Sequence, residues 1–359
     1  MFIHIGLPKT GTTAIQNALS QNAQRLRRER SLNYPDFAVK QWPVALPFIG
    51  KDEFRPLENY ILRGRGTRED AWRLSMAFFR EFEQAASRYE THVISAEQLP
   101  LLRRKAVEDF RAYFVRLGLS TKVVVYVRHP AERLSSLISM QLLAGRAGLA
   151  SFRSEDDVMP PLRTYADVFG RENLIVRRYG PAYFAGGDLV SDFMTAIGQA
   201  PLDNGPSERI NEALSLPGVL VADQLFDAAP LTSGRRGYDR YLRRIVGPKF
   251  LASRAMVRDA MDVHRDALGY LEAEFGVRFD PVDLSAFPEE IPRSLSTADI
   301  ASIAAVLNEQ SLAIGELNVE LDRERNHGLR SRVLAFLRGL RRGSIPPSQK
   351  ADPPFSPLR

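Results

Sequence analysis

The opening stretch MFIHIGLPKTGTTAIQNAL (1–19) decides the fold. Met1 to Ile5 is a short, mostly apolar run closed by Gly6, and from Thr12 onward Ala14, Ile15, Ala18 and Leu19 fall on one helical face. The order is strand, loop, helix. GLPKTGTT, Gly6 to Thr13, is therefore a glycine-bearing turn at a helix N-terminus, where backbone N–H groups and the helix dipole favour an anion.

Three further short apolar runs, His92 to Ala96, Lys122 to Val127 and Leu174 to Val176, read as buried parallel strands separated by helical patterns. That alternation predicts an α/β fold in three layers, a central parallel sheet flanked by helices, with ligands outside the carboxyl ends of the strands. Arg209 to Leu321 reads as mainly helical, a C-terminal addition packed on the sheet. Between Tyr34 and Arg68 the sequence is irregular, with aromatic residues among prolines, and serves as a cover for an acceptor or as a packed loop. Arg330 to Arg342 is a basic amphipathic segment, and the proline-rich stretch after it is expected to be disordered.

The chain has 359 residues, 44% hydrophobic and 26% charged, the composition of an ordinary globular protein. A formal charge of +6 favours anionic partners without ranking them. With no cysteine, disulfides and thiolate metal sites are excluded, and the five histidines show no metal-ligand spacing. No secretory leader or membrane span is visible, so a cytoplasmic protein is expected.

Set against the nucleotide triphosphatase loop GxxxxGK[ST], Gly6 and Gly11 keep their spacing, Thr12 stands at the lysine position and the lysine has moved to Lys9 inside the turn. A triphosphate enzyme needs its lysine at the β and γ phosphates, whereas a lysine within the turn reaches the end of a shorter group. The pattern GxxKxGTT resembles the 5′-phosphosulfate loop of sulfotransferases that use 3′-phosphoadenosine-5′-phosphosulfate (PAPS), and IHIGLPKTGTTAIQNAL looks like bacterial members acting on glycans and other small acceptors. The resemblance implies a P-loop-like fold in which Pro8, Lys9, Thr10, Gly11, Thr12 and Thr13 line the co-substrate. Lys9 would meet the bridging oxygen and the transferred sulfuryl group, and Gly11, Thr12 and Thr13 would hold the 5′-phosphate.

KVVVYVRHPAERLSSL (122–137) resembles the same family's 3′-phosphate segment, with Arg128 at a strand end and Ser136 on the following helix. A guanidinium fork at a strand end suits phosphate, though it equally suits a structural ion pair. VISAEQL (93–99) looks like the family's Ser-Ser-Glu stretch with Ala96 replacing the second serine, which makes Glu97 the candidate base, or else a capping or ion-pairing carboxylate. His92 stands at the wrong end of its strand, and His129 reads as a local hydrogen-bonder. Arg133 adds charge or covers a helix surface. NLIVRRYGPAYFAGGDLVSDFMTAIG (173–198) also resembles the family, and its Arg177 and Arg178 suit either an anionic acceptor or plain solvation. GRRGYDR (234–240) is a further basic cluster, over the nucleotide or simply solvated.

The expectation is a PAPS-dependent sulfotransferase domain over about 1–325, its nucleotide-binding core about 1–200 and its helical addition about 201–325, followed by a basic and proline-rich tail over 326–359. It would transfer a sulfuryl group to a hydroxyl or amine of a glycan or small metabolite, release 3′,5′-adenosine bisphosphate and need no metal. Two alternatives stand beside it: a P-loop kinase or triphosphatase, disfavoured by Thr12 at the lysine position, and a noncatalytic nucleotide-binding protein. Nucleic acid is not an expected partner, and the basic segment Arg330 to Arg342 allows a weak contact with an acidic membrane surface.

Overall fold

The computed structural model describes residues 1–35, 41–49, 66–202, 214–228 and 238–341. One compact unit spans Met1–Asp299, and a second begins at Ile300. The first is α/β, built on a five-stranded, all-parallel sheet in the order β2-β3-β1-β4-β5. The strands are β1 (Phe2–Ile5), β2 (Leu32–Asn33), β3 (Thr91–Ala96), β4 (Lys122–Arg128) and β5 (Leu174–Tyr179).

Alternation along β4 makes the three layers. Val123, Val125 and Val127 join one apolar cluster with Phe78, Phe82, Phe110, Phe114 and Tyr165, while Val124 and Tyr126 join another with Ile15, Leu19, Phe193 and Met194. A strand with both faces buried reads as an unbroken apolar run, which is why KVVVYV was legible. On the first face lie α3 (Arg68–Ala85), α4 (Arg104–Arg116) and α6 (Met159–Phe169), and on the second α1 (Thr12–Gln21), α2 (Ala23–Arg30) and α7 (Leu189–Ala196). Between β4 and α6 runs α5 (Pro130–Leu143).

The expected strands are present, with two additions. β5 runs three residues past Val176, through Arg177 and Arg178 to Tyr179, because an edge strand tolerates charge where a central one does not. β2 is a two-residue edge with no sequence signal of its own, and beyond it a side chain closes the edge of β3: the Ser95 N–H donates to Gln41 Oε1 at 2.9 Å.

The C-terminal addition is helical, with α8 (Leu216–Ala228), α9 (Tyr238–Leu242), α10 (Arg254–Val263), α11 (Arg265–Phe275) and α12 (Thr297–Arg341). The basic segment from Arg330 continues α12 as far as Arg341, and the proline-rich end lies outside the described residues, as do most of the Tyr34 to Arg68 stretch and the arginines of GRRG. Trp42–Ala45 and Leu46–Ile49 form short helical turns, and Ser75 Oγ, from α3, donates to Pro43 O at 2.8 Å. Among the described residues no helix is long and apolar enough to cross a membrane.

Arg133 does not cover a surface. It is 2% exposed and holds Asp157 through both guanidinium nitrogens, while its Nη2 also donates to His264 Nε2 at 2.7 Å. His264 Nδ1 is 2.8 Å from Ala260 O and so carries the ring proton, leaving Nε2 free to accept. This clamp joins α5 to the turn before α6 and to the junction of α10 with α11. Burial acts to raise the Asp157 carboxyl, but the hydrogen bonds and charge of the Arg133 guanidinium outweigh it and hold the group at about 2.

Candidate active site

The loop and the candidate base are brought together by strand register. Ile5 pairs with Ala96, and the Gly6 N–H donates to Ala96 O at 3.1 Å, so Gly6 and Glu97 leave the sheet side by side at its carboxyl edge. Helix α1 then returns across β3, and the Thr13 hydroxyl donates to Glu97 Oε1 at 3.2 Å. Gln16 Nε2, one turn further, donates to Ser95 O at 2.7 Å.

Gly11 is the N-cap of α1, in the left-handed region with φ 75°, and no side chain caps the helix. A Cβ at Gly11 would stand 2.3 Å from Leu189 Cδ2 and 3.0 Å from Tyr179 Cε2, so both the dihedral and the space require glycine. Lys9 is also left-handed, with φ 64°, which costs a lysine on the order of 1 kcal/mol. Thr10 is buried, and its hydroxyl bridges the turn to Leu7 O at 2.7 Å, so toward a ligand it offers only its backbone N–H. Pro8 is half-buried and has no N–H to offer.

Arg128 ends β4 opposite Tyr179 of β5, and its guanidinium carbon lies 5.2 Å from the Tyr179 ring centroid. The same ring borders Gly11, so Tyr179 stands between the loop and the arginine. Glu132 is 3.9 Å from Arg128 Nε, a loose contact with an exposed carboxylate. Residues 128, 132 and 136 follow one another at i, i+4 spacing, which lines Ser136 up behind Glu132 on α5. Ser136 is half-exposed, and its hydroxyl makes no hydrogen bond among the described residues.

Two buried polar atoms without a hydrogen-bond partner among the described residues are Thr12 Oγ1 in the loop and Arg128 Nε at the end of β4. A buried donor left unpaired costs about 1–3 kcal/mol, so each marks a place where a ligand atom would be welcome.

The remaining candidates are structural. Arg177 pairs through two nitrogens with Asp192, which is fully buried and also accepts from the Tyr126 hydroxyl and the Ala185 N–H at 2.6 and 2.8 Å. Arg178 lies 3.8 Å over the Tyr183 ring and donates to Arg278 O. His129 caps α5, its Nδ1 accepting from the Ala131 N–H at 3.2 Å, and burial holds its pKa down at about 4. His4 is buried beneath the loop with Nδ1 2.8 Å from Ser95 Oγ, and burial holds it at about 3. Both are neutral at neutral pH. His92 is buried against Asn33 and the carbonyls of Ala86 and Tyr89. Tyr179 was not singled out from the sequence, because its role rests on the β4–β5 register.

No protein-family model matches the chain, and a search of curated proteins returned no match. Among solved structures, the chain is similar to a sulfotransferase from Alicyclobacillus acidocaldarius. The two are 17% identical, the likeness covers 63% of this chain and 92% of that one, and the TM-score is 0.37.

Proposed function

We propose that this chain is a sulfotransferase that moves the sulfuryl group of PAPS to a hydroxyl, or less readily an amine, of a glycan or small metabolite. The observation that carries the reading is the hydrogen bond from Thr13 to Glu97, which sets a carboxylate beside the N-terminus of the helix that ends the anion loop. A bare anion-binding protein has no use for a negative charge there. A group-transfer enzyme does, because the incoming hydroxyl must lose a proton next to the group it attacks.

In this reading the acceptor oxygen attacks sulfur, its proton passes to the Glu97 carboxylate, and the bond from sulfur to the 5′-phosphate oxygen breaks. Negative charge grows on the departing phosphate, where Lys9 and the N–H groups at the start of α1 stabilise it more in the transition state than before it. Thr12 and the backbone N–H of Thr13 hold the 5′-phosphate, and Arg128 with Ser136 takes the 3′-phosphate, which ATP lacks. Pro8, Thr10 and Gly11 shape the turn.

Thermal shift with 3′,5′-adenosine bisphosphate, ATP and AMP tests it. Stabilisation by the bisphosphate above the other two supports the reading. A preference for magnesium-ATP would replace it with a kinase or triphosphatase.

A further inference from the structure

Helix α12, Thr297–Arg341, is about 68 Å long at 1.5 Å per residue. Its first half carries a seven-residue repeat: Ile300, Leu307, Ile314 and Leu321 recur at one heptad position, with Ile303, Gln310 and Leu317 at the position three residues on. A helix that rests on a globular body needs an apolar stripe of period 3.6, whereas a strict repeat of seven imposes the shallow left-handed supercoil of two helices wound together. Five of its seven positions are open to solvent, with Ile300 56%, Leu307 58%, Ile314 53%, Leu317 58% and Leu321 53% exposed, while Ile303 and Gln310 are half-buried. Leu312 and Val319 are exposed as well but lie on another face of the helix. Solitary exposed leucines are ordinary, but five apolar side chains on one seam call for a cover.

We infer that α12 pairs with α12 of a second copy of the chain as a parallel coiled coil over Ile300 to Leu321. Two features support an identical partner. Gln310 sits in the seam, and only an identical helix in register sets another Gln310 opposite it, where the two amides can hydrogen-bond and fix the alignment. Covering the five open side chains on both helices removes on the order of 1,000 Å² from water, the lower bound for a specific interface. Beyond Leu321 the repeat is broken by Glu324 and Gly328, so the pairing is about three heptads long and concentration-dependent.

The full chain is tested by sedimentation equilibrium over a concentration series and by cross-linking, which the absence of cysteine makes clean. The expected mass at high concentration is twice the 40.3 kDa of one chain, and Ile314→Lys reduces it to one. Ile314→Cys forms a disulfide-linked dimer on mild oxidation, because a heptad core position faces its own copy in a parallel pair, while Asn308→Cys, on the outer side, does not. A wild-type chain that stays monomeric overturns the inference. So does a dimer that survives Ile314→Lys, or an Ile314→Cys variant that fails to cross-link.

Discussion

The Thr13 hydroxyl donates to Glu97 Oε1 at 3.2 Å, although the two residues are 84 positions apart in the chain. The contact exists because β1 and β3 are neighbours in register and because α1 starts at Thr12. Thr13→Val keeps the shape and removes the donor. Turnover should fall by about tenfold while nucleotide affinity changes little, since one hydrogen bond to a carboxylate is worth about 1.5 kcal/mol. Steady-state kinetics with PAPS check this, and an unchanged turnover would separate Thr13 from the carboxylate's role.

Lys9 joins backbone strain to a chemical task. Lys9→Ala should lower turnover by roughly 10²-fold or more with a smaller loss of nucleotide binding, as for a donor that acts mainly in the transition state. Lys9→Gly should lose the same activity yet gain up to about 1 kcal/mol of stability, because glycine takes the left-handed dihedral without strain. Urea unfolding of the two variants separates strain from chemistry.

Arg128→Ala or Ser136→Ala should weaken binding of 3′,5′-adenosine bisphosphate and leave AMP nearly unaffected. Tyr179→Leu should reproduce part of the Arg128→Ala loss and Tyr179→Phe should not, since the ring under the guanidinium is what the arginine rests on. Calorimetry with both nucleotides reads the difference. Equal losses for both would point to structural damage.

Acid should destabilise the fold in two stages. His4 and His129 have folded pKa values of about 3 and about 4, below the unfolded value near 6.5, so between those limits the unfolded chain binds protons that the fold refuses. Each such histidine removes stability as pH falls, at about 1.4 kcal/mol per pH unit. Protonation also takes from His129 the lone pair that caps α5. Asp157, held at about 2, adds a contribution that is present above pH 4 and lost below it. Urea melts from pH 7.5 to 4.5 should therefore fall steadily, His129→Asn should flatten the slope by one proton, and a level profile would contradict both assignments.

The strand-loop-helix opening and the apolar runs around Val93 and Val124 carried the parallel sheet in plain view, because both faces of these strands are buried, while the shorter run at Ile175 marked only the inner part of the edge strand. The loop was legible through Gly6 and Gly11, where close packing or a left-handed dihedral constrains residue type directly. What the sequence hid was long-range. The ion pairs of Arg133 and Arg177 were not legible, since a charge gives no local sign that Asp157 or Asp192 lies folded against it. Tyr179 was invisible for the same reason, its meaning set by pairing with Arg128 across two strands.

The most direct test is the release of 3′,5′-adenosine bisphosphate from PAPS, measured on the wild-type chain and on Glu97→Gln over a panel of hydroxyl acceptors. Glutamine keeps the reach to Thr13 but takes no proton, so binding of the bisphosphate should persist while acceptor-dependent release falls by about 10²- to 10⁴-fold. A phenol, which gives up its proton more easily, should recover part of the loss. Transfer by Glu97→Gln at the wild-type rate, or no acceptor-dependent release from the wild-type chain, would contradict the account.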